Sequence, residues 1–282
     1  MLNQNRAALG IPRDSIRSQN ALVAAAAIAA AGPAFAATST VTEANLGADW
    51  GTGDTRTGGT LAFTNEYSAP AGFGTGALQL STTDGFAKVQ VLTAQDAGVK
   101  LSDVKGNISF YAKQIAVSAG TPNQLAALNL FIDPDGAGTA YTYAPLILEP
   151  VYQPQAIIPN TWQKWDGSAA TAKWWSTRTF PGVTAFTPND GLNIDQISAA
   201  NPDAVIRPEG YGFNQGSGNA GLISAVDGLT IGGKTFDFQP RVFTATDCKD
   251  GGWATNFAPE MFKSQGDCVS FYASNGKTHP QG

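Results

Sequence analysis

From about residue 37 onward the chain is a succession of short apolar or alternating runs. They fall at 61–63, 77–80, 87–92, 107–113, 126–132, 141–151, 204–213, 221–231 and 235–238, separated by clusters of Gly, Pro, Asn and Asp. Runs this short, with no long helical pattern between them, predict antiparallel strands in a sandwich, not a parallel sheet with crossover helices. Alternation is clearest at Val89 and Val91 and at Leu128, Leu130 and Ile132, which places those side chains on one inner face. Ile231-Gly232-Gly233-Lys234-Thr235-Phe236 reads as a tight hairpin, the glycines supplying positive φ. About two hundred residues and some nine to twelve strands predict an all-β fold, a jelly-roll or concanavalin-like antiparallel β-sandwich. One short helix is expected near 190–200, with Ile194 and Ile197 on one face and Pro202 closing it. Pro145, Pro150, Pro154 and Pro159 bound an extended hairpin or edge region. No repeat of fixed period is present.

The two ends differ from this pattern. Residues 1–36 read as a secretory signal. Arg6, Arg13 and Arg17 form a basic region, and 21–31 is an apolar run about half the ~20 residues that a membrane-spanning helix needs. Gly32-Pro33 breaks the run, and Ala34-Phe35-Ala36 offers a small-x-small cleavage site near Ala36. The alternative is an uncleaved anchor or an amphipathic helix. With the signal removed, no second stretch approaches a membrane span, so the expected product is secreted. Residues 37–240 form the sandwich domain. Residues 241–282 hold both cysteines, Cys248 and Cys268. In an exported protein these default to one disulfide. It closes a loop of about twenty residues, a stabilisation of roughly 3 kcal/mol in the chain-entropy model. Ser264 with Asp267 resembles a capping box, Cys268, Phe271 and Tyr272 share a helical face, and Asn275-Gly276 ends it. The tail is therefore expected to be a small disulfide-pinned helical element packed by Trp253, Phe257, Phe262 and Phe271.

Composition narrows the function classes. The net charge of −5 argues against nucleic acid as a partner, since that recognition rests on clustered Lys and Arg. One histidine, His279, excludes a Ser-His-Asp triad in the body and a His-rich zinc site. Glycosidases need two carboxylates at a defined separation. Glu43, Glu66, Glu149, Glu209 and Glu260 are each isolated in sequence, and no E-x-D-x-E strand exists. Glu149, in a hydrophobic strand, is the best single acid, with an outward-facing or buried acceptor role as the alternative. Asp133-Pro134-Asp135-Gly136 offers two oxygen ligands for a structural Ca²⁺, and is equally a turn signature.

The densest candidate chemistry is aromatic. Trp162, Trp165, Trp174 and Trp175 crowd one stretch, with Asp166 and Arg178 among them. Exposed indoles stack on sugar faces while neighbouring polar groups bond hydroxyls. The same residues serve equally as core packing, although Trp162 and Trp165 cannot both point inward along one straight strand. Asn214, Gln215 and Asn219 sit in a Gly-rich polar segment without the ending of a phosphate-binding loop. Their amides suit sugar hydroxyls or an Asx-stabilised turn.

Taken together, Trp162-Gln163-Lys164-Trp165-Asp166, Trp174-Trp175-Ser176, Asn201-Pro202-Asp203-Ala204, Asn214 to Asn219, Val226-Asp227-Gly228 and Phe236-Asp237-Phe238 resemble a group of exported bacterial β-sandwich proteins of unassigned function. Their sandwich is similar in type to carbohydrate-binding modules and concanavalin-like lectins. The tail, from Cys248-Lys249-Asp250-Gly251-Gly252-Trp253 to Asp267-Cys268-Val269-Ser270, resembles a C-terminal element of secreted actinobacterial proteins. The resemblance brings no activity and carries over no catalytic residue; the tryptophan cluster and the missing acid/base pair predict a non-catalytic partner of polysaccharide or cell-surface glycan. Two other classes stay open: a polysaccharide lyase or hydrolase using Glu149 or Asp166, and an adhesive envelope protein with no small ligand.

Overall fold

The computed structural model describes residues 37–118, 122–136, 138, 140–257 and 261–277. The export signal expected at 1–36 and His279 lie outside them. In chain order the strands are β1 (Ala37–Val41), β2 (Trp50–Gly51), β3 (Gly59–Thr64), β4 (Ala77–Thr82), β5 (Val89–Thr93), β6 (Ile108–Ala116) and β7 (Ala127–Asp133). They continue as β8 (Ala144–Leu148), β9 (Gln163–Asp166), β10 (Trp175–Ser176), β11 (Val205–Gln215), β12 (Ile223–Ile231) and β13 (Lys234–Phe238). Two short helices, α1 (Leu101–Val104) and α2 (Ile194–Ala200), lie in the connections. Asn193 and Gln196 form a reciprocal capping box on α2, which starts it at Ile194, four residues after position 190.

The strands make two sheets around one core. One sheet has the order β10-β8-β7-β11-β5-β2. The other runs β1-β13-β12-β4-β3, with β6 and then β9 on the free side of β12. Apart from the parallel β1–β13 pair, the strand pairs are antiparallel. Val89, Val91, Leu128, Leu130 and Ile132 are fully buried between the sheets, as their alternation predicts. Facing side chains interdigitate across the core. Phe110 of β6 meets Phe213 of β11 edge-on at 5.5 Å, and Trp50 of β2 meets Phe236 of β13 at 5.1 Å.

Each of the nine apolar runs overlaps a strand, and four further strands, β1, β2, β9 and β10, carry no such run. β1 is Ala-Thr-Ser-Thr-Val, exposed except at Val41, and is held by main-chain pairing with β13. β9 contains Trp165 and β10 contains Trp175, while Trp162 and Trp174 immediately precede them. Pro145 lies in β8, between neighbours and not at an edge. The two-residue β10 ends opposite Leu146, so the proline owes no ladder bond on that side.

The sheet containing β12 forks. The first half of β12 pairs with β4 and the second half with β13 along the same edge. Asp227 stands at the fork, 0% exposed. Its Oδ1 accepts from the backbone N–H groups of Gly228 at 2.7 Å and Phe238 at 2.8 Å. The carboxyl thus replaces the ladder partners that the diverging strands withhold.

The tail has its own small core. Cys248 and Cys268 form a disulfide, as expected, and with Phe262 they are buried beneath Trp253, Phe257, Phe271 and Tyr272. α3 (Gly252–Thr255) and α4 (Gln265–Ala273) frame it. Ser264 caps α4 by accepting from Asp267 N, and Asn275 and Gly276 take positive φ at its end.

Candidate functional site

The outer face of the six-stranded sheet carries an open groove of about 650 Å³. Its floor follows from the strand period. Where Val89 and Val91, Leu128 and Leu130, and Tyr211 and Phe213 point inward, Gln90 and Leu92, Asn129 and Phe131, and Gly212 and Asn214 point outward. Strand register then aligns them. Trp175, Ile147, Asn129, Gly212, Leu92 and Gly51 form one row across all six strands. Gln90 and Asn214 sit side by side in the next.

Two backbone features shape the groove. Pairing between β7 and β11 breaks from Ile206 to Tyr211, and the intervening Arg207-Pro208-Glu209-Gly210 bulges out. Proline cannot donate to a ladder, and Gly210, at φ 68°, would place a Cβ 1.8 Å from the Thr93 carbonyl oxygen. The bulge sets Pro208 and Glu209 against the groove as a wall. Gly212, in mid-floor, would set a Cβ 2.1 Å from the Val91 carbonyl oxygen.

The floor holds unspent hydrogen-bonding capacity. Asn129 is 6% exposed and its Oδ1 has no partner among the described residues, and Asn214 Oδ1 is likewise buried and unpaired among them. Around these amides lie Leu92, Phe131, Pro145 and Ile147. The rim is ionic. Lys88 bonds Asp54, and chiefly that bond holds the Asp54 carboxyl below its usual range. Arg207 grips Glu209 through Nε at 2.9 Å and Nη2 at 3.1 Å, which holds Glu209 ionised. Tyr143 is raised, first by burial and then by nearby Glu209. The guanidinium groups of Arg207 and Arg178 lie 5.3 and 5.7 Å from its ring centroid.

The structure disperses the residues expected to bind sugar. Trp165 and Trp174, 2% and 1% exposed, belong to the core and present no face to solvent. Trp165 takes an inward position of β9, and Trp174 donates from Nε1 to the Gly167 carbonyl at 2.8 Å. Gln215 is also interior, donating to Thr82 Oγ1 and the Leu222 carbonyl. Trp162 is half-buried, outside the groove lining. Asp166 is exposed and accepts from Ser168 N in a turn. Asn219 bonds the Gly216 carbonyl, a turn contact. Asn214 lines the groove, and Trp175 and Arg178 flank it. The four indoles therefore do not make one platform, because alternation along β9 and the tight Trp174–Gly167 contact draw two of them inside.

Asp133 and Asp135 form a turn. Asp135 Oδ2 accepts from the N–H groups of Ala140 at 2.9 Å and Tyr141 at 3.2 Å. Asp133 is raised by burial and by its hydrogen bond with Asp135. The two offer a cation a pair of carboxylates, and no group of three metal-binding side chains occurs among the described residues. Glu149 lies one pleat beyond Ile147. Burial pushes it up to about 7, against the pull of the Trp175 indole N–H at 3.1 Å.

Gln90, Asn129, Phe131 and Tyr143 escaped the sequence reading. The available signal was an amide between two inward-facing apolar residues, at Val89-Gln90-Val91 and again at Leu128-Asn129-Leu130. No protein-family model, curated protein or solved structure matches this chain.

Proposed function

We propose that this chain is an exported, non-catalytic glycan-binding protein built on a jelly-roll-type sandwich, and that its ligand lies in the groove over the six-stranded sheet. The observation that carries the reading is the pair of buried, unpartnered amide oxygens of Asn129 and Asn214 among apolar floor residues. Such oxygens cost free energy when left dry, and sugar hydroxyls are donors of the right kind. Phe131 and Tyr143 offer ring surface for the C–H faces of a pyranose. The disulfide suits an oxidising compartment. Among the described residues no helix is long and apolar enough to cross a membrane.

The test is co-sedimentation and tryptophan emission against a panel of soluble and insoluble polysaccharides. The doubly substituted Asn129→Ala/Asn214→Ala protein is expected to bind the selected glycan at least tenfold more weakly, about 1.4 kcal/mol, with unchanged circular dichroism. Equal binding by this variant overturns the site. A second reading, hydrolysis or elimination on the same glycan, draws support from Glu149, a carboxyl near neutrality at the end of β8. Release of reducing or unsaturated ends, abolished by Glu149→Gln, would replace the binding reading.

A further inference from the structure

The cations around the groove are not equivalent. Lys88 is paired with Asp54, and Arg207 with Glu209. Arg178 is exposed, and the one hydrogen bond of its guanidinium among the described residues runs from Nη1 to the adjacent Thr177 carbonyl at 3.4 Å. No described carboxylate lies within ion-pair reach of it. Thr177 and Tyr143 both line the groove, so this guanidinium stands at its mouth.

We propose that Arg178, seated against Tyr143, is a subsite for the anionic substituent of an acidic glycan, a uronate carboxylate or a sulfate ester. This rests on the glycan reading above and names the class of its ligand. A guanidinium presents a planar fork of donors that matches a carboxylate or sulfate edge. The tyrosine ring orients that plane without consuming its donors. Burial keeps the phenol of Tyr143 neutral. Asp54 and Glu209, the acids whose charges act on the Tyr143 phenol, are each paired with their own cation, so an incoming anion meets the free charge of Arg178. The chain as a whole carries −5 and repels polyanions, which makes this local charge decisive for discrimination.

The experiment is calorimetric titration with four probes: oligogalacturonate, its carboxyl-reduced counterpart, a chondroitin sulfate oligosaccharide and its desulfated form. The intact protein should prefer an acidic probe over its neutral counterpart at least tenfold. Arg178→Gln should abolish that preference while leaving neutral-probe affinity within twofold, and Arg178→Lys should keep part of it. The uronate and sulfate pairs distinguish the two anions. Equal affinity for acidic and neutral probes, or a preference that survives Arg178→Gln, overturns the subsite. If acidic and neutral probes bind equally and Asn129→Ala/Asn214→Ala abolishes both, the groove stands and the anionic subsite falls. Absence of binding to all four overturns both.

Discussion

Asp227 ties a titratable group to the integrity of a sheet. Burial lifts its carboxyl to about 8, against two backbone N–H donors that favour the anion. In the unfolded chain the same group titrates near 3.9. Between these values the folded state holds a proton that the unfolded state has lost, so stability falls as pH rises from about 4 to about 8. Below about 4 both states are protonated and there is no penalty. Glu149, pushed up to about 7, acts in the same direction over a narrower window. Asp227→Asn keeps an oxygen for Gly228 and Phe238 and removes the ionisation. Urea unfolding at pH 4.5, 6 and 9 should therefore show a flatter pH dependence for the variant, with a gain on the order of a few kcal/mol at pH 9. A wild-type midpoint that rises with pH, or an unchanged slope in the variant, would contradict the assignment.

At the scale of the element, β11 converts a bulge and two glycines into one side of the groove. Gly212 packs against the Val91 carbonyl with no room for a methyl group, whereas Gly51, in the same cross-strand row, has open space around its missing Cβ. Gly212→Ala should destabilise by at least about 1 kcal/mol, since the new carbon must part β11 from β5. Gly51→Ala should fall within about 0.5 kcal/mol of wild type. Thermal denaturation of the two variants side by side checks the contrast, and equal losses would refute it. Strands such as β5 and β7 were readable because their apolar residues recur with period two. β1 was not, because its exposed Thr and Ser record no burial and its place comes from main-chain bonds to β13. Tryptophan misled for a related reason. Its composition is the same whether the indole plugs a core, as Trp165 does, or flanks a groove, as Trp175 does, and only cross-strand register separates the cases. The unpaired oxygens of Asn129 and Asn214 were beyond sequence reasoning altogether, because an amide's lack of partners depends on what five neighbouring strands place around it.

At the scale of the molecule, two hydrophobic clusters have different kinds of glue. The sandwich core draws on both sheets and needs no covalent help. The tail core is buried only at Cys248, Phe262 and Cys268, with its remaining aromatics partly wet. So small a cluster cannot offset the ordering entropy of its chain, and the disulfide, with a separation of 20 residues, supplies the difference. The expected contribution is about 3 kcal/mol, confined to the tail. Its ties to the sandwich include a bond from the Arg241 backbone N–H to the Glu43 carboxylate Oε2 at 2.8 Å, which is too little to hold α4 once the cross-link is gone. Replacing Cys248 and Cys268 by Ser should accordingly raise amide exchange across α4 while leaving the protected amides of β7, β11 and β12 unchanged. The proposed glycan affinity should also persist, because every lining residue of the groove lies between Ala48 and Asn214. If exchange instead rose across both sheets and binding were lost, the tail would be part of the sandwich's cooperative unit, and the groove would owe its shape to a segment that touches none of its walls.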